Sequence, residues 1–237
     1  MNTIKTLRAR LLHRSFARSR SPLLSGQAVI IFLMFLSFVL FLFVGIGLDV
    51  AGAYRVKESH RQNVKLAQDS FTAYGNTLKF SDDPRTVAKD AILQPLKDNK
   101  YTGTAELWLY ELGTDYTSST GTPLPSSHRM MGATLVLSGE YQTMFMRLAG
   151  SGLGKISVQT NSTWTVDLYS KSSHVWRPTV SGSASGYGIH VTWKVTNGVA
   201  SVTANSELHD IKSVPSTLSA ALSNRVDSID DTTTSGG

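Results

Sequence analysis

The residues that could carry chemistry are scattered along this chain of 237 residues. The stretch AGSGLGKIS at 149–157 comes near the glycine-rich loop that cradles phosphates, with Gly154 and Lys155 in the right places. However, Ile156 replaces the hydroxyl that would hold magnesium, and the following residues alternate like a strand where that loop requires a helix. We therefore predict a glycine-rich turn between two strands.

Other reactive groups are equally isolated. The stretch SGSASG places Ala184 where a GxSxG elbow needs its nucleophile. Asp82-Asp83 and Asp230-Asp231 lack the alternating oxygen ligands of a calcium loop. We predict no enzyme, no cofactor and no metal, although distant side chains could still assemble a site in three dimensions. No metal-ligand spacing occurs among the six histidines, which are His13, His60, His128, His174, His190 and His209.

Charge and cysteine content narrow the classes of function. The chain has no cysteine, which excludes disulfides, thiolate nucleophiles and Cys-ligated zinc. Its formal charge of +6 resides in the basic residues before the first acid, Asp49, because the rest of the chain carries 17 basic against 17 acidic residues. A nucleic-acid-binding protein needs a basic face on the folded domain. We therefore predict no nucleic-acid partner.

A long apolar segment determines the expected location of the chain. Gln27 to Leu48 contains only Gln27 and Ser37 as polar residues, and its 22 residues form about 33 Å of helix against a hydrocarbon core of about 30 Å. A cleaved signal has a shorter apolar region, so we predict a retained single-pass anchor in the cell membrane with lipid as a partner. The basic leader, residues 1–25, places the N-terminus in the cytoplasm and residues 50–237 outside it.

Two features of the segment leave alternatives open. Ala51-Gly52-Ala53 is a small-residue pattern that signal peptidase could cut. Gly45 and Gly47 are either ordinary glycines of a membrane helix or part of a close helix–helix contact through Gly47 and Ala51. Such a contact would produce a homo-oligomer through the membrane helix.

The transmembrane helix, residues 26–49, is predicted to continue as a stalk and docking helix over residues 50–80. It is expected to be polar nearly all round between Arg55 and Asn63, and amphipathic where it docks on a domain. The alternative is a separate surface helix after a break at Gly52. The docking face has helical spacing and consists of Val64, Ala67, Phe71, Tyr74 and Leu78.

Residues 81–226 are predicted to form an extracytoplasmic α+β domain. Asp83 can cap a short helix that begins at Pro84, and a last helix runs over about residues 216–226. Between them the sequence alternates with period two and is rich in β-branched and aromatic residues. The fold class is α+β: a long N-terminal transmembrane helix continuing into a stalk, then a mainly antiparallel β-sheet domain with one or two short helices.

One hairpin can be predicted in detail. Asn197-Gly198 is the preferred pair for a two-residue type I′ turn. The tail at 227–237 is almost entirely polar, with Ile229 as its one large apolar residue, and is predicted to be disordered. The turn sets the cross-strand pairs Val195 with Ala200, Trp193 with Val202 and Val191 with Ala204.

The stretch SGQAVIIFLMFLSFVLFLFVGIGLDVAGAYRVKESHRQNVKLAQDS resembles the start of TadE- and TadG-like proteins of the tight-adherence (Flp) pilus system. Members of this group often have a basic leader, then Gly-Gln or Gly-Ser before a long apolar helix that ends near an Asp and a small residue. A Tyr-rich or Arg-rich turn and a Gln-Asn step follow. The resemblance covers roughly residues 20–75, and its matching positions are Gly26-Gln27, Asp49, Gly52-Ala53-Tyr54-Arg55 and Gln62-Asn63.

The resemblance implies a minor-pilin-like component that helps to assemble or anchor an adhesive pilus, with other pilus or envelope assembly proteins as partners. Several members are cut by a prepilin peptidase after a Gly, with a Glu at the fifth mature position. Here the cut would fall between Gly26 and Gln27 and the fifth residue would be Ile31, so the unprocessed TadG-like style fits better. The positions assigned to the membrane and assembly helix are Gly45, Gly47, Asp49, Ala51 and Tyr54.

Two other functions are compatible with this organisation. The first is a single-pass, membrane-anchored extracytoplasmic domain that binds or senses a ligand. A concave pocket lined by exposed aromatic residues, for instance around Trp164 and Trp176, would favour it. The second is an anchored enzyme, which convergent titratable side chains in a cleft would favour.

Overall fold

The computed structural model describes residues 22–81, 83–169 and 186–229. These residues form a long N-terminal helix followed by a five-stranded antiparallel sheet with a few short helices, which confirms the predicted α+β class. Several positions singled out above lie outside the described residues: the leader up to residue 21, His13, Asp82, His174, Trp176, Ala184, Asp230 and Asp231.

Helix α1, Pro22–Ala73, is one continuous helix of 52 residues, which corresponds to a length of about 78 Å. It passes through Gly52 without interruption, so the alternative of a separate helix after a break there is wrong. The chain turns at Tyr74, and helix α2 follows at Gly75–Phe80. The predicted stalk helix is therefore divided in two, at a glycine that is about 1 kcal/mol less favourable than alanine inside a helix.

The second half of α1 buries one face against the domain. The segment between Arg55 and Asn63 was expected to be polar nearly all round and solvated. The solvation is wrong at two positions, because His60 and Asn63 are buried. The Asn63 side chain donates to the Ser59 carbonyl at 2.9 Å, and its oxygen accepts from the Asn99 amide at 3.0 Å. These hydrogen bonds offset the cost of burying the polar side chain of Asn63. The buried positions of this half are His60, Asn63, Val64, Ala67 and Phe71.

Helix α3, Pro84–Asp98, begins as predicted. The Asp83 side chain accepts a hydrogen bond from the Thr86 amide, and Pro84 occupies the first turn, where its missing N–H costs nothing. The helix packs against both α1 and the first strand. It therefore closes the core between the second half of α1 and the sheet.

Five strands form the sheet: β1 Gly103–Leu112, β2 His128–Gln142, β3 Lys155–Tyr169, β4 Gly186–Thr196 and β5 Val199–Leu208. Their order is β3-β2-β1-β4-β5, and every neighbouring pair is antiparallel. The edge strands β3 and β5 consequently leave one side of their backbone without a strand partner within the described chain. Helices α1, α2 and α3 cover one face of the sheet.

The β4–β5 hairpin confirms most of its prediction. Asn197 and Gly198 have φ angles of 50° and 79°, the two positive values that a type I′ turn requires. Val191 pairs with Asn205, not with the predicted Ala204, because a bulge inserts one extra residue into β5. Two predicted pairs are present: Val195 with Ala200, and Trp193 with Val202.

Helix α5, Ser216–Asp227, covers part of the other sheet face and matches the predicted last helix. Its buried Leu218 and Leu222 pack over the close approach that Gly132 of β2 allows. Asp227 accepts hydrogen bonds from the hydroxyls of Ser118 and Thr120. Asp227 is therefore structured, and the prediction that disorder begins at this residue is wrong.

A buried arginine locks the end of α2 to the sheet. Arg129 on β2 is ion-paired with Glu111 on β1. Its Nη1 donates to the carbonyls of Leu78, Lys79 and Ser81 at 3.2–3.3 Å. These carbonyls lie at a helix end, where they lack partners within the helix. The arrangement satisfies a buried charge with both an ion pair and hydrogen bonds.

Candidate functional site

The first half of α1 is apolar, and residues 26–38 are exposed on every side of the helix. Among the described residues it belongs to the one helix that is long and apolar enough to cross a membrane. Such a surface is unstable in water and needs lipid or other apolar helices around it. This agrees with the predicted single membrane span near the N-terminus. Its exposed aromatic side chains include Phe32, Phe35, Phe38, Phe41 and Phe43.

Where the apolar segment ends, one face of α1 docks on the sheet domain. Gly45, Asp49 and Gly52 lie on successive turns of this face, and we call them the docked stripe. Gly45 and Gly52 contact residues of β2 and of the connection from β2 to β3, residues 143–154, which we call the tip. The tip includes helix α4, Met146–Ala149, and a 3₁₀ turn.

The carboxylate of Asp49 is the centre of this junction. It is 1 % exposed. Its Oδ1 accepts from the Met144 amide at 2.8 Å, and its Oδ2 accepts from the amides of Phe145 and Met146 at 2.8 and 2.7 Å. A hydrogen bond to a charged group contributes about 1.5–3 kcal/mol. Three such bonds hold the start of α4 against α1 and fix the position of the domain along the axis of α1.

The two glycines of the docked stripe permit the close contact. A Cβ at Gly45 would overlap the ring of Phe145, and a Cβ at Gly52 would overlap the hydroxyl of Tyr141. The Phe145 ring also packs edge-on against Phe41, with ring centroids 5.5 Å apart. Side chains from the domain thus occupy the space that the glycines leave on α1.

The opposite face of the same turns is open. Gly47, Ala51 and Tyr54 form what we call the exposed stripe: no atom lies within 4 Å of a Cβ built at Gly47, and Tyr54 is 68 % exposed. The two stripes are about 200° apart around the helix, since each residue advances it by about 100°. The predicted assembly positions therefore divide: Gly45 and Asp49 contact the chain's own domain, whereas Gly47, Ala51 and Tyr54 are exposed, Tyr54 beside a groove that Ile156 and Val158 of β3 also line.

The predicted processing site lies far from the junction. Gly26 and Gln27 are exposed on the second turn of α1, and nothing is within 4 Å of a Cβ built at Gly26. Cleavage there stays a prediction. It would leave every contact of the docked stripe intact.

Sequence analysis missed the tip. The stretch ATLVLSGEYQTMFMRL at 133–148 has the composition and alternation of a strand, but β2 ends at Gln142 and a short helix follows at Met146. The detectable signal was the loss of alternation at Met144-Phe145-Met146, where bulky apolar residues are adjacent in sequence. The glycine-rich turn predicted between two strands is confirmed, because it forms the rest of the tip.

Other polar clusters lie on the sheet. The His128 Nδ1 is 2.8 Å from an Asp167 oxygen, and the His190 Nε2 is 2.8 Å from a Glu106 oxygen. Within the described ranges, no group of three side chains could hold a metal ion. Trp164, which the ligand-binding alternative required to be exposed, is buried in the core against Phe71.

His60 is buried on the docked face of α1, about two turns beyond Gly52 towards the C-terminal end of the helix. Burial lowers the pKa of His60 from its usual 6.5, because the protein interior disfavours the imidazolium. Its Nδ1 lacks a hydrogen-bond partner, and the ring of Tyr101 lies edge-on with centroids 5.3 Å apart. His60 is therefore a neutral, acid-sensitive part of the interface between helix and sheet.

Comparison of the chain with models of protein families, with curated proteins and with solved structures finds no match. The functional argument therefore depends on two features of this molecule. One is a helix with an apolar, exposed first half. The other is a polar junction that ties its middle to a sheet domain.

Proposed function

We propose that this chain is a single-pass, membrane-anchored, minor-pilin-like component of a bacterial tight-adherence pilus or a related secretion or assembly machine. The observation that carries the proposal is the division of α1, which is apolar and exposed in its first half and part of the domain core in its second half. Pilin-like proteins pack such helices side by side in the bilayer and present the sheet domain to partners. The N-terminal resemblance to TadE- and TadG-like proteins supports the same role.

In this proposal the basic leader lies in the cytoplasm and the sheet domain outside the membrane. The charge asymmetry supports this orientation, since the residues before Asp49 are only basic and the rest of the chain is balanced. Protease added to intact spheroplasts should degrade the sheet domain and spare a tag at the N-terminus. The reverse pattern would overturn the orientation.

Retention of the anchor is supported by the contacts of Asp49. Cleavage after Ala53 would remove the docked stripe and leave the amides of Met144, Phe145 and Met146 without their acceptor. The domain would also lose the packing of Phe145 on Gly45 and of Tyr141 on Gly52, so the mature domain would be less stable. Mass spectrometry of the mature N-terminus distinguishes an intact chain, a cut after Gly26 and a cut after Ala53. Only the last contradicts a retained anchor.

The exposed stripe is the surface through which α1 would meet neighbouring helices. Gly47 and Ala51 are small and lie one turn apart, which lets another helix approach closely. The chain has no cysteine, so Ala51→Cys provides a unique cross-linking position. Phe38→Cys is the control, because it is exposed but lies about 140° round the helix from Ala51 and about 180° from Gly47.

The role in assembly is tested by deletion of the gene in the source organism. We expect impaired piliation, rescue by the wild-type chain, and recovery of other pilus components with a tagged copy. Stronger cross-linking of Ala51→Cys than of Phe38→Cys would assign the partners to the exposed stripe. Normal piliation in the deletion strain would defeat the proposal.

A ligand-binding or sensor domain is the second candidate, and a groove on the sheet favours it. The groove has a volume of about 690 Å³ and is lined by polar side chains, among them Thr104, Gln159 and Lys194. A thermal-shift screen of the detergent-solubilised chain with sugars and amino acids tests it. A shift that Thr104→Leu abolishes, together with normal piliation after deletion, would favour this function over the first.

A further inference from the structure

The tip carries an unusual concentration of exposed apolar side chains. Met144 is 73 % exposed, Leu148 is 71 % exposed and Leu153 is 46 % exposed. The connection 143–154 contains no acidic residue, and its single charged residue is Arg147. Exposed apolar residues that cluster on one short connection indicate a surface that is covered in the working protein.

The position of the tip indicates what covers it. Its Phe145 packs on Gly45 and against Phe41, and both belong to the apolar segment that ends at Leu48. Along the helix axis, Gly45 lies about 4.5 Å and Phe41 about 10 Å before that end. If the apolar segment spans the bilayer, the tip lies level with the outermost part of the hydrocarbon.

We propose that the tip inserts into the outer interface of the same bilayer that α1 crosses, so that the domain has a second, direct contact with phospholipid. The inference depends on the membrane anchor of the proposed function and not on the pilus role. Apolar faces of interfacial segments reach about 5–10 Å into the boundary between headgroups and acyl chains. Met144 and Leu148 supply such a face, and the long side chain of Arg147 can extend to the phosphates.

Asp49 explains why the tip would enter the bilayer at one depth. Its carboxylate holds the start of α4 by three hydrogen bonds, so the tip cannot move along α1 without breaking them. The exposed apolar residues of the tip are therefore placed at a fixed depth beside the helix. Two points of contact, the helix and the tip, set the orientation of the sheet relative to the membrane.

Depth-dependent fluorescence quenching tests the inference. Leu148→Cys, the one cysteine in its variant, is labelled with an environment-sensitive dye and reconstituted in nanodiscs that hold one copy each. Quenchers are a nitroxide on a shallow acyl carbon of phosphatidylcholine and aqueous iodide. Thr217→Cys on α5 is the matched control, because it is exposed and lies on the part of the domain remote from the tip. Phe35→Cys, in the middle of the apolar segment, reports on the anchor itself.

We expect blue-shifted emission at Leu148→Cys, with a greater loss of emission to the nitroxide lipid than to iodide, and the reverse order at Thr217→Cys. Quenching of Leu148→Cys by iodide alone would overturn the inference. Protection from both quenchers would also overturn it, since another part of the chain would then cover the tip. Failure of a second nitroxide lipid, labelled near the end of its acyl chain, to quench Phe35→Cys would instead refute the anchor, which separates the two proposals.

Discussion

The docked and exposed stripes of α1 occupy the same turns of one helix but have different surroundings. Each contains small residues, and by sequence Gly45 and Gly47 are equivalent. In the structure, Gly45 faces the ring of Phe145, and Gly47 faces open space. The difference shows that a glycine in a membrane helix acquires its role from what lies opposite it. Here one face serves the chain's own fold and the other is left for lipid or partners.

The largest effect should come from removing the acceptor at the junction. Asp49→Ala leaves the amides of Met144, Phe145 and Met146 without their acceptor, so we expect the largest fall in the urea midpoint among these variants. Urea unfolding of the detergent-solubilised chain, followed by tryptophan fluorescence, measures it. Asp69→Ala, at an exposed position on α1, is the control and should change stability by less than about 0.5 kcal/mol. Equal effects of the two variants would show that the junction contributes nothing.

Overpacking of the docked stripe should have the next largest effect. Gly45→Leu places a side chain where Phe145 already lies, and such overpacking costs about 1–3 kcal/mol. Gly47→Leu makes the same chemical change on the open face and should leave the unfolding midpoint unchanged. If both substitutions lower the midpoint equally, the two faces are not distinct.

The pH dependence of unfolding tests whether His60 is buried and neutral in the interface between α1 and the sheet. Because burial lowers the pKa of His60, the unfolded chain takes up a proton near pH 6.5 while the folded chain does not. The stability from this group is therefore complete above pH 6.5 and is lost as the pH falls below it, by at most about 1.4 kcal/mol per pH unit. His60→Leu should reduce the difference between urea midpoints at pH 7.5 and pH 5.5. An unchanged difference would contradict the assignment.

The smallest effect on folding is expected on the exposed stripe. Tyr54→Ala removes a side chain that is largely in solvent, so the free energy of unfolding should change by less than about 0.5 kcal/mol. Any effect should instead appear in association, measured as cross-linking of Ala51→Cys in the membrane. A large loss of stability without a change in cross-linking would reverse the roles assigned to the two faces.

Features encoded by neighbouring residues were predictable from the sequence. The cap at Asp83, the start at Pro84 and the turn at Asn197-Gly198 each depend on residues within a few positions, and all three are present. The apolar first half of α1 could likewise be predicted from its composition alone. Local chemistry thus predicted the class of fold and most of its elements.

The site was less predictable because its contacts are distant in sequence. The amides that bind Asp49 are 95–97 residues away, and no local pattern connects them to the carboxylate. His60 lies in a polar stretch, and its burial depends on the sheet that packs over it. The tip was missed because strand-like alternation on both sides of it obscures the break at Met144-Phe145-Met146. Tertiary packing determines each of these three features.

The continuity of α1 has a geometrical consequence for the whole molecule. No hinge separates the apolar segment of α1 from the part that packs in the core. The direction in which the sheet projects from the helix axis is therefore set by the number of helical residues between the two parts. One residue inserted between Phe35 and Phe41 would rotate the domain by about 100° and shift it by about 1.5 Å relative to the N-terminal end of the helix. An insertion of about one full helical turn would nearly restore the original direction of the sheet. The effect of insertions on function should therefore vary with the period of the helix.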